Sequence, residues 1–200
     1  MTPPGPPSRD ATLFGTLFGA LFEAHQREVL AYARRRTTSI ADAEDATAET
    51  FVIAWRKMAA VPIEPLPWLY GVARRVLANQ RRGEDRRLRL AWRIRDDVPT
   101  PAYLGEDAGT PATVALTRLR ADDQELLRLV AWEELGNNEI AEVLGATPNA
   151  VAIRLHRARG RFKLALADVL RERGVKDPAV PRTHGQVKGT ASHGAGTEGP

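Results

Sequence analysis

Between Ala41 and Thr50 the sequence reads ADAEDATAET, and Asp42, Glu44, Asp45 and Glu49 stand there with no Lys or Arg among them. On a helix, which turns about 100° per residue, Asp42, Asp45 and Glu49 share one side with Ile53, while Ala48, Phe51, Val52, Trp55 and Ala59 share the other. Carboxylates so spaced could do two kinds of work. They could ligate a metal ion, but helical carboxylate sites draw further ligands from neighbouring helices, commonly through a Glu-x-x-His pattern, and none is present. Alternatively, they could receive a basic partner. The helix dipole, which favours negative charge in the first turns, accounts for part of the acid. Glu49 lies past those turns, repels Asp45 and adjoins an outward Ile53, which fits a docking surface.

A second stretch reverses the sign. PWLYGVARRVLANQRRG carries Arg74, Arg75, Arg81 and Arg82 and no acid. As a helix it turns Leu69, Val72, Ala73 and Val76 inward and Trp68, Gly71, Arg75, Asn79 and Arg82 outward, with Tyr70, Arg74 and Arg81 on the flank. Arginines that follow phosphates, beside rings that receive unstacked bases, suit single-stranded or distorted nucleic acid.

The third stretch, NNEIAEVLGATPNAVAIRLHRARGRF, has the spacing of a helix-turn-helix. A short helix from Asn138 to Leu144 turns Ile140, Ala141 and Leu144 inward, Gly145 makes the turn, and Thr147 caps a second helix with Pro148 at its first position. There Val151, Leu155, Ala158 and Phe162 pack. Asn149, Ala152, Ile153, His156 and Arg157 face outward, with Arg154, Arg159, Arg161 and Lys163 around them. Residues 114–150 hold three bases against seven acids, and 151–173 hold seven bases against two acids, so only the second helix is built for a polyanion. His25, His156, His184 and His193 are scattered and form neither a metal cluster nor an acid-base pair.

The elements that position these faces are helical, and the predicted fold class is all-α. Leu13, Leu17 and Leu21 beside Phe14, Phe18 and Phe22 make the core stripe of a first helix that Arg34, Arg35 and Arg36 end. Ser39, three residues before Asp42, caps the acidic helix, and Asp122 with Glu125 caps one through QELLRLVAWEEL, packed by Leu126, Leu127, Val130 and Leu135 and closed by Gly136. Two small helical domains follow, at 11–83 and 114–173. They are joined by a linker over 84–113, whose DVPTPAYLGEDAGTPAT holds three prolines and two glycines. Residues 1–10 and 174–200 read as disordered tails, rich in Pro and Gly and without apolar periodicity. The 200 residues carry 29 Lys and Arg against 25 Asp and Glu, a net +4, and no Cys, which excludes disulfides and thiolate chemistry. The longest apolar stretch, Ala11 to Phe22, is too short and too broken by Gly to span a membrane. A cytoplasmic protein without catalytic residues or cofactor is expected. A free-standing helix-turn-helix regulator of duplex DNA is the alternative that these faces allow.

In this order and at these spacings the three stretches resemble the extracytoplasmic-function (ECF) sigma factors of the sigma-70 family, over about residues 18–168. DAEDATAETFVIAW resembles region two, and the resemblance implies that Asp42, Asp45, Glu49 and Ile53 dock on the β′ clamp helices of core RNA polymerase. PWLYGVARRVLANQRR resembles the segment that recognises and melts the minus-ten element, through Trp68, Tyr70, Arg74, Arg75, Asn79, Arg81 and Arg82, with the loop from Ala59 to Pro67 helping to capture a flipped base. NNEIAEVLGATPNAVAIRLHRAR resembles the region four helix-turn-helix, which also meets the β flap; Asn149, Ala152, Ile153, Arg154, His156, Arg157 and Arg159 would face the minus-thirty-five element. The family commonly has Asn where Arg75 stands, Asp where Asn79 stands, and a polar or basic pair where Ala152 and Ile153 stand. The last two therefore offer a thymine methyl an apolar contact in place of hydrogen bonds. The implied function is that of a promoter-specificity subunit, with promoter DNA and core polymerase as partners, room for an anti-sigma factor, and no direct membrane insertion.

Overall fold

Ser39, Thr110 and Thr147 each hold extended backbone and accept a hydrogen bond from the amide three residues on, at Asp42, Thr113 and Ala150. Each relieves an amide that a helix start leaves without a partner. Pro111 and Pro148 follow two of these caps, where a missing N–H costs nothing. The structure, a computed structural model, describes residues 9–91 and 109–174. The helices are α1 (Arg9–Arg34), α2 (Ile40–Arg56), α3 (Pro65–Ala91), α4 (Pro111–Thr117), α5 (Ala121–Ala131), α6 (Asn137–Leu144) and α7 (Pro148–Glu172), with a 3₁₀ turn at Met58–Ala60. Among the described residues there is no strand, and the fold is all-α as expected.

Some boundaries differ from those read in the sequence. The backbone of α3 runs past Gly83 to Ala91, into the expected linker, because EDRRLRLA is rich in helix formers and no proline interrupts it before Pro99. Arg120 holds the N-cap position of α5 without a side-chain hydrogen bond, so Asp122 does not cap that helix with Glu125. Gly136 precedes α6 as its N-cap, donating its N–H to the Glu139 carboxylate at 2.7 Å, and does not close α5. Residues 92–108 of the expected linker and residues 1–8 and 175–200 of the expected tails lie outside the described residues, while Arg9 and Asp10, expected in the first tail, begin α1.

Helices α1, α2 and α3 share a core around Val29, Tyr32, Phe51, Leu69 and Val76. The face that α2 gives to it differs from the expected one: Ala43, Ala46, Thr47, Thr50, Phe51 and Ala54 are buried, while Ala48, Val52, Trp55 and Ala59 are exposed. Small residues allow close helix approach, and the Thr47 and Thr50 hydroxyls satisfy themselves on the Ala43 and Ala46 carbonyls at 2.7 Å. Helices α4, α5 and α6 pack on α7 through Leu116, Leu126, Leu129, Ile140, Val151 and Leu155. Each such buried aliphatic contributes about 1.5–3 kcal/mol. The two units meet where α6 lies on α3. At Gly71 a Cβ would stand in van der Waals contact with α6, 3.4 Å from the Val143 carbonyl oxygen, so a long side chain there would meet the α6 backbone.

Candidate nucleic-acid and partner interfaces

On α2, Asp45 and Glu49 are exposed, Asp42 is half-buried, and Ile53 is half-buried against the core. The exposed acids therefore share their face with Val52 and Trp55, not with an outward Ile53. Trp55 is held edge-on by Phe14 and Phe18 of α1, with ring centroids 4.9 and 5.0 Å away.

The basic face of α3 is divided. Arg75, Asn79, Arg81 and Arg82 are exposed, and Arg82 donates to the Asn79 side-chain oxygen. Arg81 donates to the Arg36 carbonyl at 3.2 Å. Trp68 and Arg74 are half-buried. Tyr70 is buried, stacked on Tyr32 at 4.8 Å, and burial with the nearby Glu133 charge pushes its hydroxyl up to about 12. Tyr70, expected on the flank, is thus buried against α1, and Gly71, expected on the outer face, is covered where α6 lies on α3. In the loop before α3, Ile63 is 98% exposed.

A cluster that sequence reasoning missed joins the units beside this covered patch. Arg36 lies 3.5 Å over the Tyr32 ring and donates to Glu125 at 2.8 Å and to both oxygens of Glu133 at 3.1 and 3.2 Å. Arg35 also donates to Glu133 at 2.8 Å, and the Tyr32 hydroxyl donates to Glu125 at 2.8 Å. Burial would raise the Glu125 carboxyl, but the Arg36 charge and the two hydrogen bonds hold it below its usual value. Burial pushes the Tyr32 hydroxyl well up, so it stays a donor. The run Arg34–Arg35–Arg36 carried the only signal, as basic residues at a helix end usually answer the dipole.

On α7, Asn149, Ile153, Arg154, His156, Arg157 and Arg159 are exposed and Ala152 is half-buried, so the residues expected at DNA stand together on one open face. Gly136, Asn137, His156 and Arg159 line an open groove along it. Gly145, at φ 62°, supplies the left-handed turn between α6 and α7. Arg161 is turned away from that face and clasps the buried Asp123 of α5 at 2.6 and 2.7 Å. Among the described residues no three His, Asp or Glu side chains are grouped as metal ligands, and no helix is long and apolar enough to cross a membrane.

Residues 21–87 match the family model of sigma-70 region 2, and residues 112–162 match that of sigma-70 region 4. The probable RNA polymerase sigma factor RfaY of Xanthomonas campestris is 31% identical over 158 residues, 73% of this chain and 39% of that one. The ECF RNA polymerase sigma factor SigL of Mycobacterium tuberculosis is 28% identical over 162 residues, 76% of this chain and 90% of that one. The chain thus spans well under half of the first relative and nearly all of the second. Its fold is similar to the sigma factor RpoE of Bartonella quintana, solved in complex with the anti-sigma factor NepR, at a TM-score of 0.59 and 22% identity over 75% of this chain and 96% of that one. Two helical units in this order, one with an acidic helix beside a basic one and the other with a helix-turn-helix, correspond to the two matched sigma-70 regions. The chain belongs to the sigma-70 family, as a member of its ECF group.

Proposed function

We propose that this protein is a promoter-specificity subunit that binds core RNA polymerase and directs initiation at a dedicated set of promoters. The observation that carries the reading is the presence, on one chain and in the family's order, of an exposed acidic face on α2 and an exposed basic face on α7. Asp45 and Glu49, flanked by Asp42 and Ile53, dock on the basic β′ clamp helices, and the second unit also meets the β flap. Arg74, Arg75, Arg81 and Arg82, with Trp68, Tyr70 and Asn79, hold and open the minus-ten element. Asn149, Ala152, Ile153, Arg154, His156, Arg157 and Arg159 read the minus-thirty-five element, the arginines on phosphates and Ala152 and Ile153 on methyl groups. The protein works without a cofactor or catalytic residue, in the cytoplasm where polymerase and DNA are, and an anti-sigma factor that covers these faces would silence it.

Gly71 lies under α6, so contact of DNA with that part of α3 requires the two units to part. The test is the affinity of the purified protein for core polymerase beside its affinity for random duplex, at one salt concentration. Tight, saturable polymerase binding that Asp45→Arg weakens is the expected result. Firm duplex binding with no polymerase binding would make it a free-standing regulator.

A further inference from the structure

The family model of region 2 begins at residue 21, whereas α1 begins at Arg9, so about three helical turns precede the part that the family shares. These turns carry Leu13, Phe14, Leu17 and Phe18. Phe14 and Phe18 close on Trp55, yet Leu13 and Leu17 remain 60% and 51% exposed. On α2, Val52 and Trp55 are 47% and 44% exposed. The patch is continuous: Leu13 adjoins Leu17 at i+4, Leu17 adjoins Phe14 at i−3, Phe14 touches Trp55, and Trp55 adjoins Val52, which follows Asp45 and Glu49 along the same face. An exposed apolar strip of this kind marks an interaction surface.

Its charge narrows the occupant. From Leu13 to Gln26, and again from Thr37 to Trp55, there is no Lys or Arg, while Glu23, Glu44, Asp45 and Glu49 are exposed; Arg56 and Lys57 only close the far end. Two copies of this chain meeting here would bring like charges together. Residues 175–200 hold no Leu, Ile, Phe or Trp with which to fill the strip. We propose that the polymerase-docking face extends from α2 onto the first turns of α1, where Leu13, Leu17, Val52 and Trp55 receive the apolar stripe of a helix of core polymerase whose edges carry Lys and Arg. This rests on reading the α2 face as the docking site and enlarges it to a mixed acidic and apolar surface. A helix laid across such a face anchors through residues at i, i+3, i+4 and i+7, and its basic edge meets Asp45 and Glu49.

The experiment compares affinity for core polymerase at one salt concentration among the parent protein, Asp45→Arg, Leu13→Asp/Leu17→Asp, and Ile40→Asp as an exposed control at the start of α2. The double variant is expected to lose roughly tenfold in affinity, as fits two half-exposed leucines, with helix content and thermal midpoint kept and the control unchanged. If it binds as the parent does while Asp45→Arg binds weakly, the extension plays no part and the α2 docking site stands. If both bind as the parent does, the docking site itself is lost. If the parent is a dimer and the double variant a monomer of full affinity, the strip joins two copies and the proposal fails. Should the aspartates unfold α1, Leu13→Ser/Leu17→Ser decides by the same criteria.

Discussion

Arg36 leaves water with four hydrogen bonds, to Glu125, to both oxygens of Glu133 and to the Tyr32 carbonyl. Such a pair adds little against an apolar replacement of equal volume, but losing one partner strands a buried charge, at roughly 3–5 kcal/mol. Glu133→Ala should therefore lower the urea midpoint by that equivalent. Arg118→Ala, which breaks a bidentate but exposed pair with Glu172, should leave it nearly unchanged. The pH dependence has a definite sign. Glu125 binds its proton less readily in the folded than in the unfolded chain, so its contribution is complete above the unfolded carboxylate pKa, roughly 4.3, and fades as pH falls through the lower folded value. Unfolding free energy measured from pH 7 to pH 3 should decline over that interval, and Glu125→Gln should flatten the decline. None of this was legible in the sequence, where Glu125 looks like part of a cap and Arg36 like one of three helix-ending arginines. Residue types announce charge, but the partners lie 89 and 97 positions away.

At the scale of elements, the caps and turn at Ser39, Gly145 and Thr147 were legible because their chemistry is local, whereas Asp122 and Gly136 were assigned the wrong helix ends. Ser39, Thr147, Pro148 and Gly145 act as their types dictate, and Thr147→Ala should cost about 1 kcal/mol in thermal unfolding of α7 and its neighbours. The inward face of α2 was misread because the apolar weight of Val52 and Trp55 outvoted a row of Ala and Thr. The spacing itself carries the observed rotation: at about 100° per residue Ala43, Ala46, Thr47, Thr50 and Ala54 fall opposite Asp45, and Val52 falls beside it. A pair of substitutions tests the observed rotation. Ala54→Leu overfills a site with no exposed surface and should cost roughly 1–3 kcal/mol, whereas Val52→Lys should shift stability by less than about 0.5 kcal/mol. The opposite ranking would restore the face read from the sequence. The rotation of the candidate recognition helix was legible because its packing residues Val151, Leu155 and Ala158 are regular enough to fix it, whereas Arg161, read as part of the basic surround, was not, since its partner Asp123 lies 38 positions away.

For the whole molecule, the consequential feature is an asymmetry: the face of α7 is open, while part of the α3 face is closed by α6. The closure rests on two unlike contacts. One is the backbone approach at Gly71, and the other is the buried arrangement of Arg35 and Arg36 with Glu125 and Glu133. Glu125→Gln/Glu133→Gln keeps the shape of the second contact but removes both countercharges, leaving the buried Arg36 to regain water. Hydration of that guanidinium requires the units to separate along the apolar contact that α6 makes with α3. The double variant should therefore show an unchanged helical spectrum, a larger radius of gyration by small-angle scattering, and tighter binding of a single-stranded minus-ten strand, as Gly71 and the α3 surface around it become accessible. Gly71→Leu, which wedges α6 off through sterics alone, should enlarge the molecule in the same way at any pH. A double variant with the parent's radius would show that packing of α6 on α3 suffices for closure, and that the buried charges fix only its register.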